Sequence, residues 1–161
     1  MKQNEKPFVI ALDLGGTNSV FGIVDSSGEI KASTSIKTQA YTTVEEYVAA
    51  SCQAVMTIVE ETGGMENIKA MGIGAPSANY YRGTIENAAN LVWGKGIVPL
   101  AKLFEDKLGV PVALTNDANA AALGEKWYGV AQGMNNFVEI TLGTGVGSGI
   151  VVNGQLLYGC D

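Results

Sequence analysis

A chain of 161 residues that is 47% hydrophobic and only 16% charged can bury a sizeable core and is not disordered. Its net charge of −6, with ten Lys and Arg residues scattered along the chain, offers no basic face, which excludes nucleic acid and an anionic membrane surface as partners. The 21 glycines, about twice the roughly 7% average share, imply many turns or close backbone approaches.

Residues 7–13, 19–25 and 29–36 read as three strands joined by Gly-containing turns. The next segment, Val44–Val59, is predicted to be helical, because Val44, Tyr47, Val48, Val55, Ile58 and Val59 recur at i, i+3 and i+4 spacing. Thr42 with Glu45 forms a capping box before it, and Gly63-Gly64 stops it. Lys69–Ala75 is a short buried strand, parallel to the first because a crossover helix precedes it. Tyr80–Trp93 reads as an excursion of loops and short strands. Pro99, at a first-turn position, opens a second helix that runs to Leu108 and ends at Gly109. Val110–Leu114 is a further strand, and Asp117–Tyr128 a further helix. The order predicts an α/β fold, a mixed five-stranded sheet flanked by helices on the ribonuclease H-like plan. Gly129–Asn136 is a boundary, so residues 1–132 are expected to form one lobe and residues 133–161 to begin a second, similar one.

The second lobe opens with an echo of the first. Phe8–Val24 and Phe137–Val152 each read as strand, glycine turn and strand, with Leu14-Gly15 matching Leu142-Gly143 and Gly22-Ile23-Val24 matching Gly149-Ile150-Val151. Glycine hairpins can aim several backbone N–H groups at one anion, so two of them suggest two jaws on one polyphosphate. An isolated hairpin is marginal in water, and the chain therefore reads as the N-terminal half of a longer protein.

Cys52 and Cys160 stand far apart and histidine is absent, so this inventory builds no zinc site. Both cysteines read as buried small hydrophobes in a reducing compartment. The polar start Met1–Lys6 and the break at Asp13 leave no signal-peptide core, and no stretch approaches the ~18 apolar residues of a spanning helix. A cytoplasmic protein is expected.

Asp13-Leu14-Gly15-Gly16-Thr17-Asn18 is the sharpest motif. Gly15 and Gly16 permit positive φ and leave room for a phosphate, Thr17 and Asn18 can add side-chain donors, and Asp13 suits Mg²⁺ held through water. A plain hairpin turn with Asp13 capping its own backbone is the alternative. Lys and Arg are absent from Pro7 to Ile30 and from Trp127 to Asp161, so backbone dipoles and a metal must neutralise the polyphosphate. Within Gly143-Thr144-Gly145 the Thr144 hydroxyl is placed on a phosphate. Asn116-Asp117 lies where a strand meets a helix N-terminus, facing the crevice where ligands bind in open α/β sheets. There Asp117 can accept a hydroxyl proton during phosphoryl transfer, although Asn and Asp are equally favoured helix caps. Gly72–Ser77 and Asn87–Trp93 suit a polar, hydroxylated ligand or an ordinary loop, and Trp93 and Trp127 read as packing residues.

Taken together these segments resemble the ROK family of sugar kinases and related regulators, within the actin, hexokinase and heat-shock ATPase fold. Asp13–Asn18 and Leu142–Gly149 match its two phosphate motifs, Gly72–Pro76 and Asn90-Leu91 its sugar loops, and Asn116–Glu125 its catalytic segment. The resemblance implies Asp117 as general base, Asn116, Asn90, Ala75, Pro76 and Ser77 around the sugar, and ATP with Mg²⁺ as donor. It implies a hexose as acceptor, glucose most often, with N-acetylmannosamine, fructose or a non-catalytic sugar sensor as alternatives. A homo-oligomer, a dimer when full length, is expected. The family's glycine after the proline is Ser77 here. Its Glu-x-Gly-His motif, zinc loop and adenosine pocket would follow Asp161, so zinc is expected only there and the 161 residues alone are expected to be inactive. The twelve residues before Asp13 leave no space for a regulator's helix-turn-helix.

Overall fold

The computed structural model describes residues 6–143 and 145–158. Three strands, β1 (Phe8–Leu14), β2 (Asn18–Asp25) and β3 (Ile30–Lys37), form an antiparallel meander. Helix α1 (Val44–Glu61) then carries the chain to β4 (Ile68–Ala75), which pairs with β1 in parallel. Two short strands, β5 (Ala78–Asn79) and β6 (Thr84–Glu86), join β7 (Ile97–Val98) in a small sheet of their own. Helix α2 (Leu100–Leu108) leads into β8 (Val112–Asn116), parallel to β4. The main sheet is mixed and five-stranded, as the pattern predicted, with the strands in the order β3-β2-β1-β4-β8. Helix α3 (Asp117–Tyr128) follows β8 directly, and β9 (Phe137–Leu142), β10 (Val146–Val152) and β11 (Gln155–Leu156) make a separate three-stranded sheet.

One face of the main sheet carries the core. Ile10, Leu12 and Leu14 of β1 alternate inward with Phe21 and Ile23 of β2 and with Met71 and Ile73 of β4. They meet Tyr47, Val48, Val55 and Val59 of α1 and Leu100 and Phe104 of α2. Tyr47 stacks on Trp93 at 4.8 Å between ring centroids and meets the edge of Phe104 at 6.4 Å, so Trp93 packs as its type suggested. Trp127 does not: it is 64% exposed on the last turn of α3, with Lys126 Nζ 5.4 Å from its ring centre. Cys52 is a free thiol, half-buried against the core, and burial pushes its pKa up. Cys160 lies outside the described residues.

Local signals are off by one or two residues at three boundaries. The capping box is Thr43 with Glu46 rather than Thr42 with Glu45: Glu46 N–H donates to Thr43 Oγ1 and Thr43 N–H to Glu46 Oε2, each at 3.3 Å. Glu46 also accepts the N–H and hydroxyl of Thr42, so one carboxylate serves the whole approach to the helix. Pro99 is the residue before α2, with ψ of 62°, rather than part of its first turn. Strand β8 runs to Asn116, not Leu114, because α3 starts with no loop between them.

The second face of the main sheet is built from small residues. Gly74 lies against α3, where a Cβ would come within 3.1 Å of Ala120 Cβ. The far end of α3 reaches the β2–β3 turn, where the Tyr128 hydroxyl donates to Ser26 O at 3.4 Å. On its other side α3 takes the β9–β10 hairpin. Cβ atoms at Gly147 and Gly149 would fall 2.9 Å from Ala118 Cβ and 2.8 Å from Ala118 O, so both are needed for close packing. The opposite face of that hairpin shows Val138, Ile140, Leu142 and Val146 to solvent. No helix of the described residues is long and apolar enough to cross a membrane.

Candidate active site

The three parallel strands β1, β4 and β8 end at one edge of the sheet, because their register pairs Asp13 with Gly74 and Ala75 with Asn116. A cleft of about 1220 Å³ opens beside this edge, between the small-residue face of the sheet, α3 and the β9–β10 turn. Asp13, Gly15, Gly16, Asn90, Asn116 and Asp117 line it from one side, and Gly143 and Gly145 from the other. Four segments that the sequence leaves far apart thus share one cavity.

The first glycine turn differs from expectation in how it uses its glycines. Neither Gly15 nor Gly16 has positive φ. They are required for space: a Cβ on Gly15 would lie 2.9 Å from Asn18 O, and one on Gly16 would lie 2.9 Å from Asn90 O. The Gly15 N–H closes the turn on Asn18 O at 3.0 Å, and Thr38 N–H donates to Thr17 O at 2.9 Å. Thr17 and Asn18 have exposed side chains beside the turn but do not line the cleft. Beneath the turn Ser19, Thr38 and Tyr47 join hydroxyls in a buried chain, each contact 2.8 Å, which ties the start of β2 to α1. In the second turn Gly143 N–H donates to Gly145 O at 3.0 Å, while Thr144 lies outside the described residues.

Asn116 and Asp117 divide the work at the α3 N-terminus. Asn116 is the cap residue, and its Oδ1 accepts the Ala118 N–H at 3.0 Å; Asp117 Oδ1 accepts the same N–H at 2.8 Å. Asn116 therefore meets the capping need, and Asp117 keeps an exposed carboxylate with its Oδ2 directed to no protein donor among the described residues. Ala75 is buried at the end of β4, whereas Pro76 and Ser77 form the turn after it. Ser77 adopts φ of 50°, the left-handed region that favours glycine.

The family model described as "ROK family" matches residues 9–161. The chain belongs to the ROK family. Its sequence is 39% identical over 151 residues to the glucokinase of Streptomyces coelicolor, covering 93% of this chain and 45% of that protein. To the beta-glucoside kinase of Listeria monocytogenes it is 31% identical over 157 residues, 94% of this chain and 49% of that one. A ROK family glucokinase from Streptomyces griseus, solved in complex with glucose and AMPPNP, matches with a TM-score of 0.81 at 38% identity, over 95% of this chain and 47% of that one. This ROK chain spans about half the length of the curated relatives it matches. Its fold is the actin and hexokinase ATPase-like fold of ROK sugar kinases.

Membership in the ROK family implies a divalent metal with the nucleotide, and the residues here fit one. Asp13 is exposed at the cleft, and no hydrogen bond or ion pair among the described residues engages its carboxylate, so it does not cap its own turn. Among the described residues no group of three His, Cys, Asp or Glu side chains could enclose a metal. A single carboxylate beside a polyphosphate is the donor set Mg²⁺ accepts, since it retains most of its water.

Four cleft residues of this ROK chain went unread in the sequence: Tyr80, Thr115, Thr141 and Tyr158. Thr115 and Thr141 sit in strands whose alternation could have pointed them at the site. Tyr80 and Tyr158 carry no local signal, since they meet only through the fold, with rings stacked at 4.2 Å and 14°.

Proposed function

We propose that the protein to which this chain belongs transfers the γ-phosphoryl group of ATP to a hydroxyl of a hexose, glucose being the first candidate. The observation that carries this reading is the position of the Asp117 carboxylate, exposed at a helix N-terminus in the cleft that both glycine turns line. The named relatives and the glucose- and AMPPNP-bound neighbour support it. Asn116, Asn90 and the Ala75–Pro76–Ser77 turn orient the sugar. Asp117 takes the proton from the acceptor hydroxyl as its oxygen attacks the γ-phosphorus. The bond between that phosphorus and the β,γ-bridging oxygen breaks, and ADP leaves with its electron pair. Gly15 and Gly16 hold the polyphosphate from one jaw, with Thr17 and Asn18 exposed beside that turn, and Gly143, Thr144 and Gly145 hold it from the other. Asp13 would hold Mg²⁺ through water, and the ion would supply the positive charge that neither jaw has in side chains.

In this reading residues 1–132 are the sugar and phosphate lobe, residues 133–161 start the second lobe, and the whole protein is a cytoplasmic dimer. A coupled phosphorylation assay with ATP–Mg²⁺ over a panel of hexoses tests it on the whole protein. Turnover on one sugar, reduced about 10²- to 10⁴-fold in Asp117→Asn, is the expected result. Sugar binding without turnover on any hexose would make the protein a sensor instead.

A further inference from the structure

Tyr47 of α1 is fully buried and lines no cleft, yet its two ends reach the supports of both loops that carry proposed ligand residues. Its hydroxyl lies 2.8 Å from Ser19 Oγ, in the second residue of β2 and directly after the phosphate turn. Ser19 Oγ lies 2.8 Å in turn from Thr38 Oγ1, and Thr38 N–H donates to Thr17 O inside the turn at 2.9 Å. The turn is thus held at Thr17 and at Ser19 by groups that converge on one phenol.

The ring of Tyr47 serves the other loop. Trp93 stacks on it at 4.8 Å and 28°, while Tyr41 and Phe104 meet it edge-on at 6.2 and 6.4 Å and fix its plane. Trp93 belongs to the loop that carries Asn90, and that loop is tied to itself. Leu91 N–H donates to Ala88 O at 3.2 Å, Gly94 N–H to Leu91 O at 3.0 Å and Ala88 N–H to Gly94 O at 2.9 Å. A loop closed in this way moves as one body, so the stack on Trp93 places Asn90 as well. Three hydroxyls buried in a core are a costly route to stability, since apolar side chains of the same shape would be nearly neutral. What hydrogen bonds add there is a fixed distance and angle, where apolar contact lets surfaces slide.

We infer that Tyr47 is a positioning residue for the phosphoryl transfer, its hydroxyl setting the phosphate turn and its ring setting the Asn90 loop. The inference rests on the hexose-kinase reading above. Steady-state kinetics of the whole protein with ATP–Mg²⁺ and its preferred hexose test it. Tyr47→Phe keeps the ring and removes the hydroxyl, so the KM for ATP rises about threefold or more while the KM for the hexose changes by less than about twofold. Ser19→Ala cuts the same link from its other side and gives the same split, which decides the case if Tyr47→Phe does not fold. The double variant is no worse than either single one, because both break one link. Trp93→Leu gives the opposite split, with the hexose KM up about threefold or more, and Trp93→Phe, which keeps an aromatic stack, returns it toward the native value. Ile58→Val, a truncation of a buried α1 residue, lowers stability comparably and moves neither KM. Both KMs unchanged in Tyr47→Phe, or both raised alike, overturn the inference, as does an Ile58→Val that reproduces the split. Additive losses in the double variant overturn the hydroxyl link, and an unmoved hexose KM in Trp93→Leu overturns the ring's part. If the native protein phosphorylates no hexose, the hexose-kinase reading fails first and the positioning role with it.

Discussion

Gly16 lies directly against Asn90: a Cβ at Gly16 would come within 2.9 Å of the Asn90 carbonyl oxygen and 3.2 Å of its Cβ. The contact joins the phosphate turn to the loop that follows β6, so the two proposed ligand loops hold each other in place. Gly16→Ala must therefore displace one of them. A destabilisation of about 1–3 kcal/mol is expected from overpacking, read as a lower denaturant midpoint. Sugar binding should weaken in the same variant, although neither altered atom is a sugar donor. An unchanged midpoint with unchanged binding would show that the loops yield freely.

The β9–β10 hairpin depends on a comparable absence of side chains. Gly149→Ala would drive a methyl into Ala118 O, at 2.8 Å, and into Ala122. We expect it to lift the hairpin from α3, giving faster amide exchange in β9 and β10 while β1 and β4 keep their protection. Ala122→Gly in the same chain should restore part of the docking, because it removes one of the two obstructions.

Tyr47 makes stability fall at high pH. Burial, the largest influence, pushes its pKa up to about 12 from the ordinary phenol value of about 10, against a smaller opposing effect of its hydrogen bond to Ser19. A raised phenol pKa means that the fold binds the proton more tightly than the unfolded chain does. The stabilisation is thus complete below pH 10 and is lost as pH rises from 10 through 12, a change of about 3 kcal/mol. Denaturant midpoints measured across that window should fall more steeply for the native chain than for Tyr47→Phe. Parallel slopes would place the alkaline sensitivity elsewhere.

The 161 residues alone are expected to bind sugar weakly and to transfer no phosphate. The chain covers 45–49% of the curated kinases it matches, and Leu142 and Val146, beside the second turn, are 80% and 79% exposed. Nothing among the described residues holds that turn from its outer side. Phosphorylation of glucose by this chain, at any rate above an Asp117→Asn control, would contradict the expectation.

The sequence was explicit wherever the relevant physics is local. Alternation in β1 and the i, i+3, i+4 spacing in α1 encode which side of each element is buried, and those elements stand where the pattern put them. The mixed five-stranded sheet was expected from that order of elements, and the strand order and the convergence of Asp13, Gly16, Asn90, Asn116 and Asp117 on one cleft are what the structure adds. Choices between neighbours were less legible. Thr42 and Thr43 both precede a glutamate by three residues, and the orientation of the entering chain selected Thr43. Trp127 looked like a core residue by type, yet α3 turns it outward.

By itself the sequence determined the elements, their order, the two glycine turns and the acidic residue at the start of α3. Only the tertiary structure decided why the glycines are there, that Asn116 rather than Asp117 is the cap residue of α3, and that Tyr80, Tyr81 and Tyr158 gather beside the cleft. Hydrophobic period and turn chemistry act over a few residues and are written in the chain. Steric exclusion between Gly16 and Asn90, or stacking between Tyr80 and Tyr158, acts between residues that become neighbours only when parallel strands end at a common edge.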